Sequence, residues 1–145
     1  MFASILCPVD PSELGFEQKA VTAARQMGEA GALVTLVTVI PAPHAAVDHY
    51  LPADVVARQA SETQEAMEAI GRALGLPEGR VQIRVRHGRA ANEILEEAKD
   101  SGADLIVMAS HRPGLATYLI GSTATHVVRH ANCSVLVIRE EKPAA

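Results

Sequence analysis

Leu33-Val34-Thr35-Leu36-Val37-Thr38-Val39-Ile40 is the stretch on which the fold turns. Its only polar side chains are two small threonines, so an extended strand here has no face suited to water. A strand covered on both sides is a central strand of a parallel sheet, because parallel neighbours need crossover connections that lay helices over both faces. The flanking sequence supplies the other parts. Upstream, Ile5-Leu6-Cys7-Pro8-Val9-Asp10 is a short apolar run ending on a carboxylate, followed by the helix-starting signature Asp10-Pro11-Ser12-Glu13. Phe16, Ala20, Ala23, Ala24 and Met27 then form one helical stripe, which Gly28 and Gly31 are able to end.

Downstream, residues 41–52 form a proline-bounded loop containing His44, His49 and Tyr50, of a length that suits binding or an interface better than an idle connection. A long helix follows, with Val56, Ala60, Thr63, Met67, Ile70 and Leu74 inward and Glu62, Glu65, Glu68 and Arg72 on a solvated face. Val81, Ile83 and Val85 alternate with Gln82, Arg84 and Arg86, which predicts a half-exposed strand at a sheet edge. Gly88 turns the chain into a third helix with Ala91, Ile94, Leu95 and Ala98 inward, and Gly102 closes it. Leu105 to Ala109 is a fourth, buried strand. A fourth helix runs from about Gly121 to His130 with Ala124, Val127, Val128 and Ala131 inward, and Cys133 to Arg139 forms strand five. Five strands alternating with helices give a doubly wound α/β domain with a five-stranded parallel sheet in the Rossmann-like, flavodoxin-type order 3-2-1-4-5. The 145 residues accommodate one such domain and no linker.

Composition excludes several functions. With 48% hydrophobic residues the chain is not disordered, and a net charge of −4 with 3% aromatics offers neither a basic field nor stacking platforms for nucleic acid. Apolar runs break well before the length of a membrane span, and the N-terminus has no signal-peptide pattern, so a cytoplasmic protein is expected. Cys7 and Cys133 lie in strand-like runs without metal or redox spacing, and strand four between them would keep them about 9–10 Å apart, too far for a disulfide.

In parallel sheets of this kind ligands bind beyond the carboxyl ends of the strands, here the loops that begin at Asp10, Ile40, Arg86 and Ala109. Gly121-Ser122-Thr123 opens the fourth helix, where unpaired amides make an anion site, or where Ser122 or Thr123 is simply the cap. Ser110-His111-Arg112 would bring an imidazole and a guanidinium to the same edge, and a guanidinium holds phosphate bidentately. Asp10 can cap its helix, accept from a ribose hydroxyl or adenine amino group, or help hold Mg²⁺, and these roles do not exclude one another. His126 and His130 stand four apart on one helical face, a spacing able to present two imidazoles to a metal, although the plainer reading is a surface pair. There is no Walker-type phosphate loop, no G-x-G-x-x-G and no nucleophile elbow, and no catalytic set is visible.

The element order, the segment Ala109-Ser110-His111-Arg112-Pro113 with Tyr118 to Ser122, and the run Val127 to Ile138 together resemble the universal stress protein family, over the whole chain. The Ser-His-Arg-Pro wording is similar to a subgroup of small single-domain members. The resemblance implies an adenine-nucleotide site, with ATP and Mg²⁺ as cofactors. Adenine would lie near Val9 and Val39, ribose near Asp10 and strand four, and phosphates on the Gly121-Ser122 turn. The full set it implies is Pro8, Val9, Asp10, Val39, Gly88, Met108, Ser110, His111, Arg112, Gly121, Ser122 and Thr123. One departure stands out. In the family pattern G-x-x-G, nine residues, G-[ST], the first glycine is replaced by Ala109 here, the second falls near Arg112, and the spacer is one residue shorter. Hydrolysis would at most be slow, with His111 the one candidate to orient a water. Val135 to Ile138 is apolar on both faces yet falls at a sheet edge, so a second copy is expected to cover it in a homodimer, with a tetramer through the 41–52 loop as an extension. Two other readings remain: a nucleotide-free module whose function lies in binding an unknown protein partner, and an enzyme acting on a nucleotide.

Overall fold

The computed structural model describes residues 1–41, 52–110 and 121–139, with the side chains of residues 15 and 16 left aside. In chain order the elements are β1 (Phe2–Pro8), a 3₁₀ turn (Pro11–Glu13), α1 (Leu14–Met27), β2 (Gly28–Ile40), α2 (Ala53–Ala73), β3 (Val81–His87), α3 (Ala90–Ser101), β4 (Leu105–Ala109), α4 (Ser122–His130) and β5 (Ser134–Ile138). The sheet is parallel throughout, in the order β3-β2-β1-β4-β5. This is the doubly wound topology expected from the sequence.

The alternation of side chains along each strand divides the core between two faces. Ile5, Cys7, Val34, Leu36, Leu105 and Val107 meet Ala20, Val21 and Ala24 of α1 and Met67 and Ile70 of α2. On the opposite face Leu6, Val37, Ile106 and Met108 meet Ile94 of α3 and Ala124 and Val127 of α4. Register aligns the two sets, with Cys7 opposite Leu36 and Leu6 opposite Ile106. Gly102 ends α3 in the left-handed conformation at φ 65°, where the absence of a Cβ removes the steric penalty.

Four local expectations change. Strand two begins at Gly28 rather than Leu33, so α1 runs straight into it. The extra residues pair irregularly: Phe2 lies opposite Gly28 and Ser4 opposite Leu33, with Gly31 at φ 89° in the irregular stretch. Met27 is 39% exposed at the end of α1, outside the buried stripe. Val56 is 45% exposed because the first turns of α2 have no described element packed over them, and burial begins near Thr63. Val128 is 50% exposed, since the nine-residue α4 buries only Ala124 and Val127.

Strand three is an edge, as its alternation predicts, and on its polar face Arg84 is exposed while Arg86 is drawn down onto α3. Arg86 pairs with Glu93 at 3.0 Å, Glu97 at 3.2 Å and Asp100 at 3.3 Å, a row of carboxylates along α3. Hydrogen bonding to Glu93 above all raises the guanidinium's affinity for its proton. Both cysteines are free thiols. Burial pushes the Cys7 thiol far above its ordinary range, with the Glu17 charge adding to the effect, so it is inert as a nucleophile. Among the described residues no helix is long and apolar enough to cross a membrane.

Candidate functional site

Beyond the carboxyl ends of β1, β2 and β4 lies a cleft of about 840 Å³, at the upper end of the range for small-molecule sites. Its floor is made by Pro8 at the end of β1 and Val9 beyond it, Val37 to Ile40 from β2, and Met108 and Ala109 from β4 with Ser110 beyond them. One wall comes from α1 and α2, the other from the starts of α3 and α4.

Asp10 sits where β1 has run out. Pro8 has no amide hydrogen, and the sheet ladder continues one residue past it through the Val9 N–H, which donates to the Val37 carbonyl at 2.8 Å. At Asp10 the backbone is extended, and its Oδ1 accepts from the Ser12 amide at 3.0 Å and the Ser12 hydroxyl at 2.6 Å. The capping role written in Asp10-Pro11-Ser12-Glu13 is therefore realised, while the residue also lines the cleft. Its own N–H donates to Glu17 Oε2 at 2.6 Å, which draws the first turn of α1 toward the cleft.

The start of α4 differs from the capping alternative. Gly121 occupies the cap position and no side chain caps the helix, so Ser122 and Thr123 become its first two residues. Gly121 to Ala124 all line the cleft. A helix start leaves amides without intrahelical partners and carries partial positive charge, an arrangement suited to an anion. Ser110 is buried, and its backbone fixes this corner: its N–H donates to the Ile138 carbonyl at 2.9 Å, and its carbonyl accepts from the Gly121 N–H at 2.6 Å.

Of the residues singled out in the sequence, Pro8, Val9, Asp10, Val39, Met108, Ser110, Gly121, Ser122 and Thr123 surround this one cleft. Gly88 does not line it. It lies in an adjoining recess of about 340 Å³ with Arg89, and Val39, Pro41 and Ala90 are shared by the two spaces. Gly88 adopts φ 140° and its N–H donates to the Ile40 carbonyl at 3.0 Å, an arrangement that favours glycine. His111 and Arg112 lie outside the described residues, as do His44, His49 and Tyr50.

The α1–α2 wall was not foreseen. Glu13, Glu17 and Glu62 line the cleft beside Asp10, together with Gln59 and Thr63, whereas the sequence assigns Glu62 to a solvated face. The spacing of Glu13 and Glu17, four apart at the start of a helix that follows a strand end, is the signal that could have placed two of them. Carboxylates therefore face one side of the cleft and the α4 start the other. Among the described residues no Lys or Arg lines it. His126 and His130 lie away from it on the exposed side of α4, their ring centroids 4.4 Å apart.

The sequence profile of the Universal stress protein family matches residues 1–139. The chain is 32% identical to Universal stress protein G of Shigella flexneri over 142 residues, covering 96% of this chain and 100% of that one. Among solved structures, that of hypothetical protein MJ0577 superposes with a TM-score of 0.82 at 26% identity, covering 98% of this chain and 99% of that one. A universal stress protein solved in complex with cAMP shares the fold at a TM-score of 0.65 and 24% identity, covering 95% and 97% of the two chains. On its sequence and on its fold, this chain belongs to the universal stress protein family.

Proposed function

We propose that the cleft binds an adenine nucleotide, with ATP as the ligand, and that occupancy rather than rapid turnover is the protein's output in a stress response. The observation that carries this reading is the α4 start, which has no side-chain cap and opens onto a cleft whose far wall bears Asp10, Glu13, Glu17 and Glu62. A nucleotide has the matching polarity. Its phosphates suit the amides at Ser122 and Thr123, and its ribose hydroxyls and adenine amino group are donors for carboxylates. Val9, Val39 and Met108 offer apolar surface for the base. The relative solved with cAMP supports an adenine nucleotide as the class of ligand.

In this reading Arg112 contributes charge for the terminal phosphates in place of the glycine lost at Ala109, Gly88 bounds the adjoining recess, Ser110 anchors the corner, and His111 is the one candidate to orient a water. Mg²⁺ arrives with the triphosphate. Two free thiols suit the cytoplasm. A homodimer completes the assembly. Val135 and Val137 pack on one core face and Leu136 and Ile138 on the other, while β5 pairs only with β4 among the described strands. That unpaired edge suits a second copy.

Calorimetric titration of nucleotide-stripped protein with ATP and with GTP, each with Mg²⁺, tests the site. Saturable, adenine-selective binding near one per chain is expected. No heat with either nucleotide at two temperatures would replace the reading with a nucleotide-free interaction module. Sedimentation over a range of concentrations tests the dimer, and a monomer throughout would remove it.

A further inference from the structure

We propose that His126 and His130 form a two-imidazole chelate on the outer side of α4 for a first-row transition-metal ion of the Cu²⁺, Ni²⁺ or Zn²⁺ class. The site is separate from the nucleotide cleft and does not depend on it. Residues four apart on an α-helix are offset by about 6 Å along the axis and about 40° around it, so both side chains leave on the same face. Here the ring centroids are 4.4 Å apart, closer than that axial offset, and the rings are tilted by 43°. The two imidazoles lean together instead of diverging into solvent.

Their chemistry is open to a ligand. Both residues are exposed, and no described residue forms a hydrogen bond or ion pair with either ring. Neutral imidazole nitrogen suits copper, nickel and zinc, whereas Mg²⁺ and Ca²⁺ demand oxygen. Position adds to this preference. His130 is the last residue of α4, where unpaired carbonyls give the helix end partial negative charge and favour a cation. With two protein ligands, water fills the remaining positions and the ion stays exchangeable. The chelate would bridge the turn in which the Ala131 N–H closes the helix by donating to the Val127 carbonyl at 2.8 Å.

The test is a calorimetric titration of the full chain with Ni²⁺ in a non-coordinating buffer, beside His126→Gln and His130→Gln, with amide hydrogen exchange at Ala131 as a local readout. Both positions are exposed, so glutamine leaves the packing intact. The expected result is one strongest site per chain, weakened at least about tenfold by either substitution, because each removes one arm of a bidentate ligand. Exchange at Ala131 should slow with Ni²⁺ in the parent protein alone and remain unchanged with Mg²⁺. Absence of saturable binding, or undiminished affinity in either variant, overturns the proposal; the latter would assign the ion to other histidines of the chain.

Discussion

The Gly121 amide donates to the Ser110 carbonyl at 2.6 Å, and this one hydrogen bond joins the end of β4 to the start of α4 at the corner of the cleft. The residue that accepts is itself buried and held through its N–H to Ile138. The anion-binding end of the proposed site is thus anchored to two adjacent strands before any ligand arrives. Such preorganisation lowers the ordering cost of binding.

Gly121→Val separates folding from binding. Gly121 has φ −59° and ψ 156°, a conformation open to any L-residue, so the variant is expected to melt within a few degrees of the parent. A β-branched side chain beside the amides of Ser122 and Thr123 would obstruct a phosphate. ATP affinity should fall by about tenfold or more, roughly 1.4 kcal/mol. Calorimetry with parallel thermal melts checks this, and unchanged affinity in a folded variant would move the phosphates away from α4.

Asp10 carries two roles that one pair of substitutions can divide. Asn caps as well as Asp does, so Asp10→Asn should keep the Ser12 contacts and cost little stability. Asp10→Ala should cost about 1 kcal/mol through loss of the cap. Both remove the cleft's formal charge at this point, so both should weaken nucleotide binding. If Asp10→Asn binds as tightly as the parent while Asp10→Ala does not, the residue serves the cleft only as a cap.

Much of this could be read from the residues in order. The central strands announce themselves because Leu33 to Ile40 and Leu105 to Ala109 are apolar on both faces, and parallel topology then places the ligand cleft at their carboxyl ends. The floor of the site was legible for that reason. Its α1–α2 wall was not, because Glu17, Gln59 and Glu62 fall on polar faces of their helices, and periodicity does not distinguish water from a cleft. Nor does it register that the first turns of α2 stay exposed, although Val56 falls in the helix's apolar stripe. The start of β2 was hidden for another reason: Gly28-Glu29-Ala30-Gly31 has no strand pattern, and the early start shows only in the pairing of Gly28 with Phe2 of β1. Tertiary pairing overrode local propensity there.

Arg86 holds the β3 edge to α3 and is expected to dominate the stability of that edge. Glu97 is 3% exposed, and without Arg86 its only described ion-pair partner is Arg84 at 3.9 Å. Arg86→Met should destabilise by about 1–3 kcal/mol, because a buried carboxylate loses its charged donor. Adding Glu97→Met should restore much of the loss, since two apolar side chains remove the desolvation cost altogether. Urea unfolding of the single and double variants measures both steps, and equal midpoints for the parent and Arg86→Met would show the network to be inert.

Asp104 ties the acid limb of stability to the amino terminus. Its carboxylate accepts from the Ala3 amide at 2.9 Å and the Ser4 amide at 3.0 Å, clamping the start of β1 beside β4. The hydrogen bond from Ala3 is the largest cause of a carboxyl held below its ordinary value. A depressed folded value means that the ionised form stabilises the fold. The contribution is full above the unfolded value near 3.9 and is lost as pH falls through the lower folded value. Asp104→Asn keeps the shape but places an NH₂ against one of two N–H donors, so the variant should be less stable at neutral pH. Urea melts from pH 7 down to about 2.5 should show the parent losing more stability than the variant, the two curves converging at the acid end. A gap between them that stays constant over the whole range would mean that the charge on Asp104 contributes nothing, and that shape alone holds β1 in place.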